Sequence, residues 1–138
     1  MAATRVTELW GQLVDELSGG QRQPVWVAMP LAQQTPIMLL DEPTTFLDIA
    51  HQYELLELFR TFHGQGRTLV AVLHELNQAA RYADHLIVMK DGRIVTTGSP
   101  RDIMTPELIG GVFGPPCFIV PDPVTQTPTV IPLDPRRT

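Results

Sequence analysis

The chain has 138 residues, a net charge of −5, 13 prolines and one cysteine. That length holds one small domain, and the acidic balance argues against a nucleic-acid footprint. The lone Cys117 excludes an internal disulfide and suits a cytoplasmic setting; no apolar stretch approaches the roughly 18 residues a membrane span needs, and Met1 leads into a polar, helix-prone segment without the pattern of a signal peptide.

Residues 2–16 read as the end of a helix and a connection. Leu17-Ser18-Gly19-Gly20-Gln21 follows. Ser18 has N-cap chemistry, and the two glycines let another backbone come close. The pattern predicts a helix over 19–33 whose first N–H groups and positive dipole end face an anion; the plainer reading is an ordinary capped helix. Pro24 and Pro30 fall inside it. Each interior proline deletes one backbone bond and clashes with the preceding turn, at about 3 kcal/mol. The helix is therefore expected to be kinked or short.

The stretch 37–48, IMLLDEPTTFLD, runs four apolar residues into Asp41, Glu42 and Pro43. Such a run without alternation predicts a strand buried on both faces of a parallel sheet. Pro43 stops it for want of a ladder N–H, leaving two acids at a strand's carboxyl end, where open α/β sheets place their ligands. A helix over 49–62 follows, with Leu55, Leu56, Phe59 and Phe62 at helical spacing and Gly64 and Gly66 as its stop. Residues 69–73 return as a second strand through a right-handed βαβ crossover, ending at His74. A short helix is expected over 75–82. Residues 86–89 and 94–97 flank Lys90-Asp91-Gly92-Arg93, a hairpin signal. Two short helices are expected over 100–104 and 106–113, with Pro106 suited to a first turn. From Pro115 onward seven prolines suggest short edge strands at 117–120 and 129–131 and a loose end, without a core of their own.

The order LSGGQ, then LLDEPTTFLD, then a lone His after a strand resembles that of ATP-binding cassette (ABC) ATPases over nearly the whole chain. The wording LDEPTTFLDIAHQ and VLHELNQAARYADHLIVMKDGRIVTTG is similar to the subgroup that powers iron–siderophore, haem and cobalamin importers. The resemblance implies a partial P-loop NTPase fold of the α/β class: a parallel sheet core with flanking helices and a C-terminal β-hairpin. It implies three segments: 1–34, the remainder of a helical subdomain; 35–114, a portion of the RecA-like core; and 115–138, a proline-rich tail.

It also implies the residue roles. Asp41 resembles the aspartate that holds Mg²⁺, and Glu42 the catalytic glutamate that polarises the attacking water. His74 resembles the switch histidine that contacts the γ-phosphate of ATP. Asp48 resembles an aspartate that acts across a dimer interface. Ser18, Gly19, Gly20 and Gln21 resemble the signature that closes over ATP held by a second ATPase subunit. Transmembrane permease subunits are the other implied partners, with the chain peripheral on the cytoplasmic face of the membrane. The sequence departs from the family in two respects. Glu75 stands where the family usually has Asp. The phosphate-cradling G-x-x-x-x-G-K-[ST] is missing, since the single lysine, Lys90, precedes Asp91-Gly92. The chain thus resembles the C-terminal half of an ABC ATPase. Two readings follow: the ATPase subunit of an importer, or a catalytically inactive remnant or interaction module. His51, His63 and His85 read as surface or helix-end residues.

Overall fold

The computed structural model describes residues 11–18, 25, 28 and 35–133. The helix expected over 19–33, with Pro24 and Pro30, lies outside these residues apart from Val25 and Ala28, as does Arg136-Arg137. Chain contacts divide the molecule into two units, Met1–Leu73 and His74–Thr138.

The first unit is built on a βαβ element. Strand β1 (Ile37–Leu40) pairs in parallel with β2 (Thr68–Ala71), Ile37 opposite Thr68 and Leu40 opposite Ala71, and α1 (Ile49–Gly64) lies between them in sequence. The ladder extends one bond beyond each end, from the Thr68 N–H to the Pro36 carbonyl and from the Val72 N–H to the Leu40 carbonyl. Here the expected burial of β1 on both faces is corrected. Met38 and Leu40 are buried, but Ile37 and Leu39 are exposed, Leu39 at 75%. Alternate side chains of a strand point to opposite faces. The apolar residues that α1 buries, Leu55, Leu56 and Phe59, supply one buried face in this unit and not two. Helix α1 runs two residues past its expected end, through Gly64. Gly66 then takes a positive φ of 86°, and the Gly66 and Arg67 N–H groups donate back to the His63 and Phe62 carbonyls. Upstream, Val14–Glu16 forms a single 3₁₀ turn and Leu17 is buried.

The second unit begins with α2 (Leu76–Tyr82) and the hairpin β3 (Leu86–Lys90) and β4 (Arg93–Gly98). Asp91 and Gly92 both have positive φ, 50° and 72°, the geometry whose twist matches antiparallel strands and which the Asp-Gly pair favours. Two short helices follow, α3 (Pro100–Ile103) and α4 (Pro106–Phe113). Each has proline in its first turn and its own side-chain cap. Ser99 accepts from the Asp102 N–H, and Thr105 from the Leu108 N–H.

The proline-rich segment forms an antiparallel hairpin, β5 (Cys117–Pro121) with β6 (Pro128–Pro132). Its prolines fall at strand ends: Pro121 faces Pro128, and Cys117 faces Pro132. A missing N–H costs little there. The segment is also more than a loose end. Cys117 and Val130 join Ala80, Met104 and Ile109 in the buried cluster of this unit, with Leu76, Leu86, Ile103 and Ile119 packed against it. The sequence pattern missed this because five-residue strands bury only a few alternate positions, here Cys117, Pro128 and Val130, too few to stand out among the prolines at their ends.

Candidate functional site

The acidic loop runs from the carboxyl end of β1 to the N-terminus of α1. Asp41 is exposed and Glu42 half-buried, while Pro43 and Thr44 behind them are buried. Glu42 and Phe46 carry positive φ, 47° and 66°, a strained conformation for residues with a Cβ. Short bonds hold it. The Thr45 N–H donates to the Glu42 carbonyl at 3.1 Å, and the Leu47 N–H to that of Thr44 at 3.3 Å. The Thr45 hydroxyl donates to Glu42 Oε2 at 3.2 Å, which helps to orient the carboxylate.

Asp48 ends the loop as the N-cap of α1. Its Oδ1 accepts from the His51 N–H at 2.9 Å, and its Oδ2 lies 2.8 Å from His51 Nδ1. An ionised carboxylate only accepts, so Nδ1 carries the hydrogen. These contacts hold the Asp48 carboxyl below its ordinary range, first through the His51 N–H and then through the ring. The next residue, Gln52, donates from Nε2 to the Leu47 carbonyl at 3.0 Å. His51 and Gln52 therefore clamp the loop from the first turn of α1. His51 sits at the helix end, one of the places expected for it; its place three residues after an N-capping Asp is the signal for its bond to Asp48.

His74 opens the second unit. It is exposed, two residues before the start of α2, and Glu75 occupies the N-cap of that helix without a side-chain cap bond. Ser18 is described and exposed. Gly19, Gly20 and Gln21 lie outside the described residues. The donor set at the end of β1 suits Mg²⁺, which binds through one or two carboxylates and keeps waters and phosphate oxygens as its other ligands: Asp41 is exposed and Glu42 stands beside it. Among the described residues no group of three or more His, Cys, Asp or Glu is placed to cage a metal. The sequence has no G-x-x-x-x-G-K-[ST] phosphate cradle. Lys90 donates to the Gly111 carbonyl at 2.7 Å within the second unit. Among the described residues no helix is long and apolar enough to cross a membrane.

Comparison with known proteins agrees with the motifs. The ABC transporter family profile matches residues 1–45. The ferric enterobactin transport ATP-binding protein FepC of Escherichia coli (strain K12) is 58% identical over 134 residues, covering 96% of this chain and 49% of FepC. A solved metal-chelate type ABC transporter, in an inward-facing conformation, superposes with a TM-score of 0.81 at 29% identity over 98% of this chain and 55% of that one. A dimeric ATP-binding cassette bound to ADP and Pi in a post-hydrolysis state superposes with a TM-score of 0.58 at 36% identity over 62% of this chain and 37% of that one. The chain spans about half the length of the curated relatives it matches. Motif order, the acidic loop after a parallel strand and these matches make the chain similar to the ABC transporter ATP-binding proteins over about half of their length.

Proposed function

We propose that the chain acts as an ATP-hydrolysing subunit of an ABC importer for iron–siderophore-type substrates, with ATP-driven dimerisation of two such subunits coupled to a membrane permease on the cytoplasmic face. The observation that carries this reading is the pair Asp41–Glu42 at the end of β1, with Glu42 held by Thr45. Bound Mg²⁺ would supply charge compensation for the phosphates. Asp41 would hold it, Glu42 would polarise the attacking water, and His74 would contact the γ-phosphate. Ser18, Gly19, Gly20 and Gln21 close over the nucleotide of a second subunit, and Asp48 works at the interface between subunits. The names of the similar proteins, ferric enterobactin transport and metal-chelate type, support the substrate class, and the dimeric cassette supports the pairing. In this reading 1–34 belongs to a helical subdomain, 35–114 to the RecA-like core and 115–138 to a tail.

The second reading is an inactive or interaction module without its own nucleotide site. It is favoured by the missing G-x-x-x-x-G-K-[ST] and by the engagement of Lys90 with Gly111. Calorimetry of Mg·ATP binding to the 138-residue chain separates the two. Saturable micromolar binding places a nucleotide site in these residues. No binding up to millimolar ATP favours the second reading, a module without a nucleotide site of its own. In an assembled transporter, Glu42→Gln should lower turnover by a factor on the order of 10²–10⁴, the usual contribution of a general base. Undiminished turnover would remove Glu42 from its role.

A further inference from the structure

Of the four described helices, α1, α3 and α4 are each capped by the side chain of their own N-cap residue, Asp48, Ser99 and Thr105. Helix α2 is not: Glu75 sits at its N-cap without a side-chain bond. This is the helix that follows His74. What holds its first turn comes from far along the chain. Asn77 Nδ2 donates to the Val130 carbonyl at 3.2 Å, and Asn77 Oδ1 accepts from the Val130 N–H at 2.7 Å. The carboxamide thus makes both bonds that a neighbouring strand would make to β6. Four residues on, and so on the same helix face, Arg81 Nη1 lies 3.3 Å from Asp122 Oδ2. Asp122 is itself fixed, because its Oδ1 accepts from the Val124 and Thr125 N–H groups at 2.8 and 2.9 Å. Behind these two grips lie Ala80, Cys117 and Val130, all buried.

We propose that Asn77 is a positioning residue for His74. Through Asn77, seconded by Arg81, the β5–β6 hairpin sets the place of the first turn of α2 and with it the imidazole three residues upstream. The histidine is thereby governed by a segment bonded to its helix across 41 and 53 residues of sequence. An apolar residue at position 77 leaves the Val130 N–H and carbonyl without these partners and frees the helix start, which has no cap of its own to fall back on. The functional meaning rests on the reading of His74 given above; the mechanical coupling does not.

The test is NMR on the isotopically labelled 138-residue chain, following the Val130 amide exchange rate and the His74 ring resonances. Asn77→Ala should accelerate Val130 exchange at least tenfold and shift or broaden the His74 ring signals. Asn77→Asp keeps the acceptor for the Val130 N–H and loses the donor, so it should move His74 in the same direction by less. If Asn77→Ala fails to fold, Asp122→Asn provides the second variant. It retains an acceptor oxygen for the turn, weakens the Arg81 grip and should displace the His74 signals slightly. His74 signals that stay in place while Val130 exchange accelerates overturn the proposal. A separate measurement bears on the reading beneath it: turnover of an assembled transporter carrying His74→Ala. Unchanged turnover there removes the catalytic role of His74 and leaves the coupling standing.

Discussion

The acidic loop and the helix behind His74 hold their candidate residues in opposite ways. The loop is tied by bonds between residues three to five apart: Thr45 to Glu42, His51 to Asp48, Gln52 to Leu47. The helix behind His74 is tied by bonds spanning 41 and 53 residues, Arg81 to Asp122 and Asn77 to Val130. A locally tied loop keeps its shape wherever its own short sequence is intact, because closing a short loop costs little chain entropy. A helix tied over such distances is ordered only when its whole unit is folded. The carboxylates proposed to act on metal and water are thus set by their neighbours in sequence. The helix that follows the proposed γ-phosphate sensor, His74, is instead held by tertiary contacts.

The largest expected effect tests the non-local side. Ile109 is 1% exposed in the buried cluster of the second unit. Ile109→Ala should cost about 2–5 kcal/mol in urea denaturation, the range for a truncated buried aliphatic. It should also loosen α2 together with the hairpin. An α2 whose amides stay protected while β5 and β6 lose protection would break the comparison.

A smaller loss is expected at Gly98, which closes β4. A Cβ built there falls 2.5 Å from Ile103 Cγ2. Gly98→Ala must push α3 or the Ile103 side chain aside, at about 1–3 kcal/mol for an overpacked core. The pair Gly98→Ala and Ile103→Ala should recover part of that loss. If the double variant is merely the sum of the two singles, the clash is not the cause.

The smallest effect separates the two kinds of bond by pH. Asp48 and Asp122 are both held below the ordinary carboxylate range. A depressed folded value means that the carboxylate stabilises the fold at neutral pH. That stabilisation fades as pH falls below the unfolded value, about 3.9, and is gone once pH passes below the folded value. For Asp48 the leading cause is the His51 N–H, and for Asp122 the Thr125 N–H followed by that of Val124, with the charge of Arg81 last. The urea midpoint should therefore drop between pH 5 and 2 (a window spanning that value), and Asp48→Asn and Asp122→Asn should each flatten the drop. Arg81→Ala should leave most of the Asp122 part intact. If Arg81→Ala removed all of it, the turn would count for less than the ion pair.

Much of this was legible in the chain of residues. A strand ending before Asp41-Glu42-Pro43, Asp48 as the N-cap of a helix and Asp91-Gly92 in a hairpin turn are local signals, and the structure has each of these elements. The helix over 106–113 appeared with the bounds its Thr105 cap and Pro106 imply. These features depend on φ preferences, capping and side-chain period, which act over a few residues.

What the tertiary structure alone decided is of a different range. It exposed one face of β1, because α1 buries its apolar residues on a single side. It drew Cys117 and Val130 of a proline-rich segment into a core with Ala80 and Ile109. And it joined Asn77 to Val130 across 53 residues. No propensity encodes such a bond, for a carboxamide on a helix has the same local sequence whether or not a strand edge comes to meet it.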